Sequence, residues 1–201
     1  MALGDFTVEL HKPLGIILQE RDNGKGVQVK ELVKGGAADT QSDIVPGDVI
    51  LQVNDIDVST LDFDSVMDIL ISLDDSTPAR LSLGDGLGVM DMPKNVVKLL
   101  KSEEDAYFID AVVRQAVREA RRNNSKVGDL LKVDVIIGAG VQDEGRRGQA
   151  RFFAIFSTDG GFSTYSCNVS ATGLRREDGS VEIVSLSAAK DEGLGQTYEI
   201  I

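Results

Sequence analysis

The sequence predicts an α+β chain built as two domains, and three observations lead there. The charge is divided: residues 1–92 carry 17 acidic and 6 basic side chains, a balance of −11, whereas residues 93–201 carry 16 and 15. The first part reads as short alternating strands with one amphipathic helix and a further short helix. The second reads as a long amphipathic helix followed by an antiparallel meander. Residues 84–93 are Gly-rich and show no period, which marks a connection. The expected domains are therefore 1–84 and 94–201, with a linker at 85–93.

In the first part, Phe6, Val8 and Leu10 alternate with Thr7 and Glu9, the period of a half-buried strand. Ile16, Ile17 and Leu18 form a second apolar run. Residues 22–26 hold Asn23-Gly24, a hairpin signal, and residues 27–32 alternate again. Gly35 to Asp39 fits a short helix. Pro46-Gly47-Asp48 turns into a fourth strand at 49–53, and Asn54-Asp55 turns once more. Asp62 or Asp64 can cap a helix whose apolar face is Phe63, Val66, Met67, Leu70 and Ile71. Residues 79–83 supply the closing strand.

Four landmarks in that order resemble a PDZ domain over residues 6–84, and the resemblance implies a partly open β-barrel with two helices. Lys12-Pro13-Leu14-Gly15-Ile16 stands where the family has its Gly-Leu-Gly-Phe-type carboxylate loop. Gly35-Gly-Ala-Ala-Asp39 matches the G-x-A-x helix, and Pro46-Gly-Asp-Val-Ile-Leu51 the strand that follows it. Val53-Asn-Asp-Ile-Asp-Val58 matches the I-N-G-x-x-V turn. The resemblance implies capture of a protein C-terminus or an extended segment, added as a strand beside residues 16–19. Leu14, Gly15 and Ile16 are then the backbone donors to the carboxylate, with Lys12 as a nearby cation. Leu14 and Ile16 line the terminal pocket, Ile17 and Leu18 continue the strand, and Phe63, Met67 and Leu70 form the opposite wall. Gly15 lets the backbone approach the anion without a Cβ. Pro13 departs from the family pattern by replacing its first glycine, at a position that is not usually a donor. Phe63 stands where the family selects the ligand residue two before the terminus, and it favours an apolar residue there; the alternative is that Phe63 fills core space.

In the second part, residues 94–101 suit a short amphipathic helix. Glu103, Glu104 and Asp105 then load a helix start with acids. Ile109, Val112, Val113, Ala116, Val117 and Ala120 follow helical spacing, and Asn123 to Ser125 end the helix. Strands are expected at 131–137, 150–158, 162–170, 181–187 and 197–201, with turns at Asp159-Gly-Gly161 and Glu177-Asp-Gly179. The tail Glu199-Ile200-Ile201 has two readings, a final strand or a ligand for the chain's own groove. Arg114, Arg118, Arg121 and Arg122 form a basic stripe on the helix. That stripe is either a solvated face paired with Glu119 and Asp110, or a docking surface for an acidic protein or the acidic first half.

Composition narrows the chemistry. His11 and Cys167 are the sole residues of their types, so no intrachain disulfide, HExxH pair or cysteine cluster can form. Cys167 sits in an alternating strand and reads as a small buried apolar residue. Gly138-Ala-Gly140 and Gly193-Leu-Gly195 lack the context of a dinucleotide fingerprint, and Asp134, Asp143 and Glu144 lack the spacing of a metal loop. No catalytic residue, metal or cofactor is expected. The acidic balance disfavours nucleic acid, no apolar run reaches the length of a membrane span, and the first ten residues carry no secretory signal. The expectation is a non-catalytic interaction protein, soluble inside the cell or peripheral to a membrane. The alternative is an enzyme or small-ligand binder with its site in the second half. The opening Glu9-Leu-His-Lys-Pro-Leu-Gly15 also resembles plastid PDZ proteins. That resemblance implies a photosynthetic membrane complex as partner, met from its soluble side.

Overall fold

A computed structural model describes residues 4–21, 23–123, 128–158, 163–190 and 197–201. They fall into two compact units, residues 1–86 and 87–201. Asp22, Asn124, Ser125 and the expected features at Asp159-Gly-Gly161 and Gly193-Leu-Gly195 lie outside the described residues.

The first unit runs β1 (Phe6–Leu10), β2 (Ile16–Glu20), β3 (Val27–Leu32), α1 (Ala37–Gln41), β4 (Val49–Val53), β5 (Ile56–Asp57), α2 (Phe63–Ser72) and β6 (Ala79–Gly84). The sheet order is β1-β6-β4-β3-β2, with β5 paired to β4. First and last strands pair from Phe6↔Leu83 to Leu10↔Ala79, which ties the ends of the unit together. The sheet does not close. Among the described residues β2, at the far end, is bonded to β3 alone. Alternation buries Val27 and Val29 of β3 and Leu81 and Leu83 of β6 with Leu10, Ile50 and Val66. Asp62, not Asp64, caps α2: its carboxylate accepts the Ser65 N–H at 2.8 Å.

The second unit runs α3 (Lys94–Val97), α4 (Glu103–Arg122), β7 (Asp129–Gln142), β8 (Arg147–Thr158), β9 (Ser163–Arg175), β10 (Val181–Lys190) and β11 (Thr197–Glu199). Five antiparallel strands follow in chain order from β7 to β11. The first four extend beyond the expected strands, while β11 is shorter than the expected 197–201. The hydrogen-bond ladder continues through the polar residues Asp129, Gln142 and Arg147, where hydrophobicity has stopped marking it. Ser102 starts α4 by accepting the Asp105 N–H at 3.1 Å, while Asp105 accepts the Lys101 N–H at 3.0 Å. Cross-strand rows Ala150↔Ala171, Phe152↔Val169 and Ala154↔Cys167 form the buried face of the sheet. Phe108, Ile109, Val112, Val113, Ala116, Val117 and Ala120 of α4 fill it from above. The edge strand β7 carries three register shifts, a geometry that twists an edge away from stray pairing.

Residues 87–92 of the linker expected at 85–93 are part of this packing. Leu87, Met90 and Met92 lie against the helix–sheet core. The Gly88 carbonyl accepts from Arg114 Nη2 at 2.7 Å, and the Asp91 carbonyl accepts the Ile136 N–H at 3.1 Å. Its lack of periodicity reflects an irregular strap rather than a tether. The tail is a strand edge: β11 pairs β10, Tyr198 and Ile200 rest on the core, and the Ile200 N–H donates to the Leu186 carbonyl at 2.8 Å.

Gly148 and Gly173 face each other across β8 and β9. A Cβ on Gly148 would meet Phe108 at 2.9 Å, and one on Gly173 would meet both Val112 and Val181 at 2.9 Å. The pair therefore sets how closely α4 approaches the sheet. Gly173→Val is expected to destabilise the second unit by about 1–3 kcal/mol through overpacking. Gly140→Ala, where an added Cβ meets nothing within 4 Å, should stay within about 0.5 kcal/mol. Urea-induced unfolding compares the two.

Candidate functional site: a groove between an edge strand and a helix

The open edge of β2 faces α2 across a groove of about 610 Å³. Lys12, Pro13, Leu14, Ile16, Ile17 and Leu18 line it from the strand side, and Phe63, Met67, Leu70 and Ile71 from the helix side. Of the groove positions named from the sequence, all but Gly15 line this one apolar cleft, and Gly15 lies between two that do. Ile50 and Ile71 also line the cleft and were not among the expected groove residues. Ile71 had a local signal, since it lies four residues after Met67 on the same helix. Ile50 had none: it lies on β4, and the sheet order alone brings it to the cleft.

The loop from Pro13 to Gly15 is held by its carbonyls. Leu14 O accepts the Ala38 N–H at 3.0 Å, and Gly15 O accepts the Val33 N–H at 2.9 Å. Among the described residues the N–H groups of Leu14 and Gly15 meet no acceptor. Such groups at the closed end of an apolar cleft can receive an anion. Gly15 has φ +71°, and a Cβ there would stand 3.1 Å from the Gly36 Cα. A side chain there would crowd the start of α1, a contact the sequence reading did not anticipate. Gly15→Ala is therefore expected to cost about 1–2 kcal/mol of stability, read from the thermal midpoint.

Lys12 is placed differently from the sequence reading. Its ammonium donates to Ile71 O at 3.0 Å and Leu73 O at 2.7 Å, and it pairs with Asp75 at 3.3 Å. An ammonium has three N–H donors, and these three acceptors take them. The exposed carbonyls at the C-terminus of α2 attract this cation more directly than the loop does. Lys12 thus links the two walls of the groove instead of standing free beside its anion end.

At the other end of α2, Leu18 and Phe63 also border a second recess of about 450 Å³, lined further by Gln19, Glu20, Asp62 and Asp64. The Ser65 backbone N–H, followed by its hydroxyl, holds the Asp62 carboxyl below the usual carboxylate range.

The basic stripe expected on α4 is not one surface. Arg114 and Arg121 are only 8% and 5% exposed, because they border the face that α4 lays on the sheet. Arg114 Nε donates to Asp110 at 2.6 Å, and Arg121 Nε reaches the Leu130 carbonyl at 3.4 Å. Arg118 is partly exposed, and the exposed Arg122 pairs with Glu119 at 3.3 Å. Burial pushes the Cys167 thiol up to about 11. Among the described residues no group of three or more His, Cys, Asp or Glu is placed to hold a metal ion, and no helix is long and apolar enough to cross a membrane. Cys167 is expected to resist a thiol reagent at neutral pH in the native protein and to react once urea has unfolded it; stoichiometric labelling without denaturant would contradict its burial.

Comparison with known proteins bears on the first unit. Residues 5–78 match the family model of the PDZ domain. Two curated relatives are InaD-like proteins, from Canis lupus familiaris at 38% identity and Rattus norvegicus at 39%, each over 69 residues. The match covers 32% of this chain, and the chain spans 4% of the length of either relative. Among solved structures, the PDZ domain from choanoflagellate GIPC is 20% identical, with a TM-score of 0.38 over 43% of this chain and 96% of that one. The same domain bound to a GAIP peptide gives 19% and 0.38, again over 43% and 96%. Dlg1 PDZ2 from Monosiga brevicollis gives 20% and 0.34, over 40% of this chain and 90% of that one.

Proposed function

From the premise that residues 5–78 are a PDZ domain, we propose that this chain is a non-catalytic interaction protein that captures partner C-termini in the β2–α2 groove. The observation that carries the reading is an open strand edge beside an apolar cleft, next to a loop whose Leu14 and Gly15 N–H groups meet no acceptor among the described residues. An extended peptide adds to β2 through main-chain hydrogen bonds. Its last side chain enters the pocket of Leu14, Ile16 and Leu70, and its carboxylate meets the Leu14 and Gly15 amides. Phe63, first residue of α2, offers no hydrogen-bond donor, so the residue two before the terminus is apolar.

The second unit is read as a packed accessory module. Its support is the filled helix–sheet interface and a thiol held protonated by burial. Of the helix arginines, Arg118 and Arg122 are the ones with exposed surface to offer a partner, since Arg114 and Arg121 serve the interior. A finer reading makes the partner a plastid photosynthetic membrane complex, approached from its soluble side. The opening segment Glu9-Leu-His-Lys-Pro-Leu-Gly15 supports that reading by its resemblance to plastid PDZ proteins.

The test of the groove is a pair of peptides that end in an apolar residue and differ only at the terminus. The free carboxylate should bind about tenfold or more tightly than the amide, since a charged acceptor loses two donors. Equal affinity would remove carboxylate capture.

A further inference from the structure

We propose that the groove selects a C-terminal peptide carrying a lysine or arginine four residues before an apolar last residue. The proposal rests on the reading of the groove as a C-terminal peptide site and adds the chemistry of its ligand.

Strand geometry places that residue. A strand advances about 3.3 Å per residue, and alternate side chains share a face. With the last residue opposite Ile16, the residue two earlier lies opposite Leu18, beside Phe63. The residue four earlier lies opposite Glu20. All three face α2. The apolar cleft takes the first two, and the third reaches the recess that shares Leu18 and Phe63 with the cleft.

The two compartments differ in chemistry. The recess is bordered by Glu20, Asp62 and Asp64, and among the described residues no basic side chain lines it. Arg21 follows Glu20 in sequence but does not border it. Among the described residues Lys12 is the one cation lining the groove, and it stands at the opposite end with its donors already engaged by Ile71, Leu73 and Asp75. The groove is therefore apolar where the peptide ends and anionic where it enters. The N-terminus of α2 carries a partial positive charge of roughly half a unit, which opposes a cation, and three carboxylates outweigh it. A lysine or arginine also suits the junction sterically. Its methylene stem can lie along Leu18 and Phe63 while its charged head reaches the carboxylates. An acidic residue at the same place would meet like charge on both sides.

The experiment uses the full chain and free-carboxylate peptides that carry Lys, Ala or Glu four residues before an apolar end, titrated at low salt. The expected order is Lys tighter than Ala, and Ala tighter than Glu. Lys should exceed Glu roughly 3–10-fold, as rim charges of this kind deliver, and the gap should narrow as salt rises. The double variant Glu20→Lys, Asp64→Lys should invert the order; Asp62 is left in place because it caps α2, and circular dichroism verifies the fold. If the Lys and Glu peptides bind alike, or if the variant keeps the original order, the recess does not select charge and this proposal is overturned while the groove stands. If no free-carboxylate peptide binds at all, the groove reading itself fails.

Discussion

The close approach of Gly15 to Gly36 is the constraint on which the first unit's groove depends. Two backbones without side chains come near enough that a Cβ on either would stand 3.1 Å from the other's Cα. That contact seats the loop before β2 on the start of α1, and the carbonyls of Leu14 and Gly15 are fastened there by Ala38 and Val33. A trans peptide unit sets its N–H opposite its carbonyl, so turning the Leu14 and Gly15 carbonyls inward directs the Gly15 and Ile16 N–H groups away from those donors. The loop is thus polarised by its own packing. No charged side chain is needed to make one end of the groove receptive to an anion.

The second wall follows from the first. Lys12 extends from the same loop to the last turn of α2, where helix geometry leaves carbonyls without intrahelical partners. Its ammonium satisfies them and fixes the span between loop and helix. Asp62 does the complementary work at the start of the helix by accepting from Ser65. Both helix ends are therefore tied by side chains, and the apolar face between them, Phe63, Met67 and Leu70, is presented to the open edge of β2. The excess of acid over base in this half is expressed at the groove's entrance rather than along its length.

The second unit obeys a different rule, that of a helix laid on a long antiparallel sheet. Large and small residues alternate along its central strand, Ala150, Phe152, Ala154 and Phe156 of β8, with Val169 opposite Phe152 and Cys167 opposite Ala154. The helix approaches most closely where Gly148 and Gly173 remove side chains from the sheet surface. Arg114 carries the strap at 87–92 onto the helix through the Gly88 carbonyl, so a cation that looks like surface chemistry in the sequence is a fastening in the fold.

The sequence by itself determined the elements and their order. Helical spacing from Ile109 to Ala120, alternation in Phe6 to Leu10 and the turn at Pro46-Gly47 are local signals, because side-chain periodicity and backbone preference act within a few residues. The short motifs around Gly15, Gly36 and Gly47 also placed the groove, since each marks a backbone requirement that few residues meet. The tertiary structure alone decided what faces what. It turned Lys12 to the end of a helix about sixty residues away, brought Ile50 to the cleft through the order of the sheet, and buried two of four arginines on one helix. Those outcomes depend on competition among distant partners for a donor, a surface or a cavity. Spacing along the chain does not encode which partner wins.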